Sequence, residues 1–273
     1  MGGRPIRKQA DLDQWLLGST SVADLEFSDT DRTIIESCFV SPLVIRSRAR
    51  SAMFHIRRAW DIREVDPEMA AFRAITAEEE SVTAIFKSVQ RRNYTGAKRL
   101  RPYDHVQKSA LAPFLVAVEN ALAAALPGQN VSLETYPGKP KTALRLKILG
   151  IGPDGRTGWW YPVPPLNFTM GVDGKPHNFE EELQVVRNST NTRSILDHVR
   201  DLANRRNRII YASDLGIPQW DGNIDGFIRG KKAQVMRNLT ILLFIDQSRE
   251  RQQFVQQVMD AFLSMLPRLP AKP

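Results

Sequence analysis

From Asp31 onward, apolar residues return at helical intervals. Ala49, Ala52, Ile56 and Ala59 step by three and four, which predicts an amphipathic helix from about Pro42 to Ile62. Asp66, Pro67 and Glu68 then supply a cap, a first-turn proline and an acid at the positive end of the dipole, opening a helix that runs to about Gln90. Its inward stripe is Ala71, Ile75, Val82, Ile85 and Val89, and Asn93, Tyr94, Thr95 and Gly96 end it. A further helix is expected from Pro102 to about Leu126, with Leu111, Leu115, Val118 and Leu122 on its apolar side and Pro127-Gly128 as its stop. Pro113 is expected to kink this helix or to mark a looser first turn.

The middle third changes period. Residues 131–136 and 144–148 alternate, and Pro153-Asp154-Gly155-Arg156 forms a turn before Trp159-Trp160-Tyr161, which together predict a small antiparallel sheet. Pro162, Pro164 and Pro165 bar a central strand there, so the sheet is expected as a short insert or cap. Its aromatic residues either pack the sheet onto the helices or offer a stacking surface for bases. Helices resume near Phe179, from Ser194 to about Tyr211, and from about Lys231 to Leu266, the last with a bend at Asp246. The expected fold is therefore mainly α with a small antiparallel β insert. Its segments are an N-terminal arm at 1–30, a helical bundle at 31–127, the insert at 128–175 and a C-terminal helical region at 176–273.

Composition sharpens this picture. The 273 residues can bury one large core or two modest ones, and 42% apolar with 25% charged residues is a globular balance. The lone Cys38 has no second thiol for a disulfide or a redox pair, which favours a reducing compartment. No basic-then-apolar leader opens the chain, and the longest apolar run, near Leu239 to Ile245, is too short to cross a bilayer. A cytoplasmic location without membrane contact is the expectation. The net charge of +8 and pI near 9.8 favour encounter with nucleic acid. Basic residues gather at Arg46 to Arg58, Arg91 to Arg101, Arg205 to Arg208 and Arg229 to Lys232; each cluster is alternatively a solvated helix face.

Some polar residues fall where apolar ones are due. Stepping from Ile75 to Val82 passes through Glu78, and Glu79 lies one position round, so at least one carboxylate of this run faces a neighbouring element. A buried carboxylate needs a cation or several donors. Arg99, Arg101, His105 and Lys108 gather around the start of the next helix; His105 and Lys108 share a face, and His105 sits at the positive end of the dipole, as suits a proton acceptor. In the second half the stripe Ile195, Val199, Leu202 continues into Arg206 before Ile209, with Asn207 beside it and Tyr211 a turn beyond. Arg206 can grip a phosphate through two donors, with Asn207 and Tyr211 orienting it. The bland alternatives are a structural salt bridge for the first group and a hydrogen-bond network joining helices for the second. His55, His105, His177 and His198 are scattered without metal-ligand spacing, and no glycine-rich phosphate loop follows a strand, so neither metal nor cofactor is expected.

At these residues the chain resembles the HEPN superfamily of all-helical bundles, found in prokaryotic RNA-cleaving toxins and abortive-infection proteins. The stretch from about Ala49 to Phe114, with Ala74-Ile75-Thr76-Ala77-Glu78-Glu79-Glu80 and Asp104-His105-Val106-Gln107-Lys108, is similar to the AbiV-like branch, and the interval from Arg99 to His105 meets the family's Arg-then-His spacing. Ala203 to Ser213 is similar to the family's Arg-Asn-x-x-x-His helix, with Tyr211 in place of the histidine, and a phenol is a poor base at neutral pH. The resemblance implies metal-independent cleavage of cellular RNA, tRNA among the candidates, in anti-phage defence. Its site residues would be Arg99, His105 and Glu79 for catalysis, with Arg101, Lys108, Arg206, Asn207 and Tyr211 for RNA or phosphate. It further implies a homodimer and allows a protein partner or antitoxin. The alternative is a non-catalytic RNA- or protein-binding member of the same fold.

Overall fold

Asp66 opens its helix as a cap: its Oδ1 accepts from the Met69 amide at 2.9 Å. A computed structural model describes residues 25–125, 131–135, 144–151, 156–172, 175–190, 192, 194–211, 216 and 218–266. Among these are eight α-helices: α1 (Asp29–Phe39), α2 (Leu43–Ile62), α3 (Pro67–Arg91), α4 (His105–Ala125), α5 (Glu180–Asn188), α6 (Ile195–Ile210), α7 (Ile224–Asp246) and α8 (Gln253–Met265). A three-stranded antiparallel sheet, β1 (Val131–Thr135), β2 (Leu144–Ile151) and β3 (Thr157–Trp160), lies in the middle third, followed by the short hairpin of β4 (Gly171–Val172) and β5 (Lys175–Pro176). The chain is thus mainly helical with a small antiparallel insert. Most of the N-terminal arm and the predicted turn at 153–155 lie outside the described residues.

Residues fall into two compact units, each built from separated stretches of sequence. The first takes residues 1–81 and 208–239, and its described helices are α1, α2, the opening of α3 and most of α7. Ser28 and Asp31 cap α1 reciprocally, each side chain accepting from the other's amide at 3.1 Å. The predicted α2 stripe of Ala49, Ala52, Ile56 and Ala59 is completely buried, and its small residues let neighbouring helices approach closely. Trp60 closes one end of this core under the guanidinium groups of Arg63 and Arg229, which lie 4.0 and 4.7 Å from its ring centre.

The second unit takes residues 82–207 and 240–273. Its centre is aromatic: Phe114 lies 5.2 Å from Phe262 and 6.0 Å from Phe179 between ring centres. The end of α3 is tied by Asn93 in the left-handed region (φ 55°), with the Tyr94 amide donating to Val89 and the Asn93 amide to Gln90. Gly96 follows at φ +83°, a conformation that favours glycine, and a Cβ there would stand 2.8 Å from Leu263 Cδ1, so that side chain would have to shift. Buried Gln252 organises the entry to α8: its amide donates to the Tyr94 hydroxyl at 2.9 Å, its Nε2 to the Phe244 carbonyl at 2.6 Å, and its Oε1 accepts from the Leu166 amide at 2.7 Å. Pro113 stands buried inside α4, not in its first turn.

Alternation along β2 buries Leu144 and Ile148 on one face of the sheet. Trp159 and Trp160 on β3 remain 47% and 52% exposed, so about half of each indole is open to solvent. Among the described helices α4 alone is long and apolar enough to cross a membrane, and half of that stretch is buried within the protein, as in a core helix.

Candidate functional site

The turn before α4 is held by several hydrogen bonds. Asp104 Oδ1 accepts from the amides of Val106 at 3.0 Å and Gln107 at 3.1 Å, which makes Asp104 the cap and His105 the first helical residue. Gln107 Oε1 accepts from the Arg101 amide at 2.7 Å, and the Thr83 hydroxyl on α3 donates to the Pro102 carbonyl at 3.3 Å. His105 is therefore carried on a backbone fixed from both sides, with its ring half-buried. On α6, Ser194 accepts from the Asp197 amide at 3.1 Å and donates to its carboxylate at 2.8 Å, fixing the start of the helix that carries Arg206.

These two helices bring together residues that are far apart in sequence. Arg206 Nη1 lies 3.4 Å from His105 Nδ1 and 3.2 Å from Nε2. The lone pairs of the two ring nitrogens point apart in the ring plane, and an in-plane approach between them would collide with the intervening carbon. Nη1 therefore lies over the imidazole face and not in the ring plane. A histidine and an arginine from the two predicted groups thus share one place.

The other candidate residues are distributed as follows. Arg99 turns to the end of α8, its Nη2 donating to the Leu263 carbonyl at 3.0 Å. Arg101 has an exposed side chain, whereas Lys108, one turn along α4 from His105, is 7% exposed. Asn207 is exposed, and Tyr211, just beyond the end of α6, is 67% exposed. Arg206 therefore joins His105, a pairing across the two groups that sequence spacing treats as separate.

In the first unit the glutamate run finds its own cations. Buried Glu78 is paired with Lys231 of α7, which also donates to Gln234 Oε1 at 2.8 Å, and Glu80 is paired with Arg48 of α2 at 3.0 Å. Glu79 is buried too. Lys231 was legible only as a member of a basic cluster, yet it lies on the same face of α7 as buried Ile228 and Val235, at steps of three and four. Asn238 continues that stripe and donates to the Ser81 hydroxyl at 2.9 Å. A second arginine–histidine contact, Arg73 Nη1 to His55 Nδ1 at 3.4 Å, belongs to this unit as well.

Burial pushes the His198 imidazole on α6 down, with Asp201 opposing, and burial pushes the Tyr94 phenol up. Among the described residues, no three His, Cys, Asp or Glu side chains converge as a metal site would require. Compared with models of protein families, with curated proteins and with solved structures, the chain matches none.

Proposed function

We propose that the chain is a HEPN-like, metal-independent endoribonuclease that cleaves cellular RNA in abortive infection. The observation that carries this reading is the contact of Arg206 Nη1 with the His105 ring, which unites a group able to move a proton with one able to hold a phosphate. In the reaction the ribose 2′-oxygen attacks the adjacent phosphorus as His105 accepts its proton. The bond from phosphorus to the 5′-oxygen breaks, and the leaving oxygen takes a proton from solvent. The products are a 2′,3′-cyclic phosphate and a 5′-hydroxyl. Arg206 balances the extra charge of the phosphorane, and the net charge of +8 draws the polyanion to the protein.

A second reading, a non-catalytic RNA-binding member of the same fold, draws on Tyr211. This residue stands where the resembled motif has histidine and is 67% exposed. Growth on expression separates the two. The nuclease reading predicts that the intact chain slows growth and that His105→Ala relieves it. Equal growth with both forms contradicts it.

A further inference from the structure

The sheet has two unlike faces. Leu144 and Ile148 are buried on one, while the register sets Arg145 opposite Glu134, Lys147 opposite Ser132 and Trp159 opposite Leu149 on the other. On this second face, cations rest on rings. Arg145 Cζ is 4.0 Å from the centre of Tyr161, and Lys147 Nζ is 4.1 Å from the centre of Trp159. Glu134 holds both cations in place, at 2.8 Å from Arg145 and 2.9 Å from Lys147.

The edge strand β3 is bare on both sides: Thr157, Gly158, Trp159 and Trp160 are all exposed, and a Cβ added at Gly158 would meet open space. Trp159 lies on the face of Arg145 and Lys147 with its indole 47% exposed, and an uncovered ring set among cations on an edge strand marks a partner site. The partner's chemistry follows from the side chains. A protein interface is depleted in charge at its centre, whereas here two rings each carry a cation. Flat rings interleaved with cations match a chain of bases joined by phosphates. A duplex hides its base faces and a single strand exposes them.

We propose that this face of the β1–β2–β3 sheet docks single-stranded RNA, Trp159 and Tyr161 stacking on bases while Arg145 and Lys147 meet phosphates. The choice of RNA rests on the ribonuclease reading, and the sheet belongs to the same unit as His105 and Arg206. Glu134 competes with phosphate for both cations, so it sets how tightly the strand is held.

The test uses the whole protein and a fluorescent 2′-O-methyl strand of about a dozen nucleotides, long enough for one such platform. That strand has no 2′-hydroxyl to attack and is not consumed. Anisotropy should show Trp159→Ala weakening binding about tenfold. Trp159→Phe keeps a ring and should bind close to the unaltered protein, which separates lost stacking from lost folding. Glu134→Gln should tighten binding several-fold, a gain that a merely structural carboxylate would not give. Unchanged binding in Trp159→Ala, no binding by the unaltered protein at low salt, or equal Trp159-independent binding of a duplex would overturn the proposal. Trp159-dependent binding without cleavage of any RNA would sustain the docking face and remove the nuclease; cleavage with Trp159-independent binding would do the reverse.

Discussion

Arg206 Nη1 lies over the His105 ring, 3.4 and 3.2 Å from its two nitrogens. A flat guanidinium can do this while its remaining donors face a phosphate; an ammonium cannot. Arg206→Ala should lower the rate of RNA cleavage by about 10²- to 10³-fold, the usual effect of losing one charge-stabilising donor. Arg206→Lys should recover only part of it. His55→Ala removes the other histidine in contact with an arginine and should leave the rate unchanged, which single-turnover cleavage assays of the three variants would check.

Glu78 is buried and its partner Lys231 mostly so, with side chains 12% and 14% exposed. Removing one partner strands the other charge, so Lys231→Met should cost about 3 kcal/mol in urea unfolding. Replacing both, as Glu78→Met with Lys231→Met, should recover most of that loss. A double variant as unstable as the single one would show that the pair itself holds the helices together.

Tyr94 accepts from the Gln252 amide at the entry to α8. Tyr94→Phe keeps the ring and leaves that buried amide unmet, which should lower stability by about 1–3 kcal/mol. RNA cleavage per folded molecule should not change. Urea unfolding beside an activity assay reads both quantities.

Much of the architecture was legible because burial leaves a period in the sequence. The α2 stripe of Ala49, Ala52, Ile56 and Ala59 and the α3 stripe of Ala71, Ile75, Val82, Ile85 and Val89 are all buried, and the Asp66 cap and the ends of α3 lie where the pattern puts them. The start of α7 was not legible. Gly226 and Gly230 weaken the helical signal ahead of Lys231, while the helix opens at Ile224 with the Asn223 side chain accepting from the Gly226 amide at 2.8 Å. The meeting of His105 with Arg206 was hidden for another reason. Periodicity tells which face of a helix turns inward, not which helix it meets, and these residues lie on α4 and α6 with the sheet between them in sequence. The pairing of Glu78 with Lys231 was half visible: both sit on buried stripes, but on α3 and α7, far apart in the chain.

His198 gives the stability a pH dependence of known sign. Burial holds its folded-state affinity for protons below that of the unfolded chain, whose histidine titrates near 6.5, while Asp201 partly offsets the effect. Below 6.5 the unfolded state binds more protons, so the stability present above that pH is lost as the solution is acidified. The urea midpoint should fall more between about pH 7.5 and pH 5.5 in the unaltered protein than in His198→Asn. Equal falls would show that His198 contributes nothing.

On the proposed function, His105 moves a proton in a cleavage that needs no metal. Purified protein incubated with tRNA in excess chelator tests it directly, with the new RNA ends identified chemically. Fragments ending in a 2′,3′-cyclic phosphate and a 5′-hydroxyl are expected from the unaltered chain, and intact tRNA from His105→Ala. Cleavage that begins only when a divalent metal is added, or that proceeds equally in His105→Ala, would contradict it.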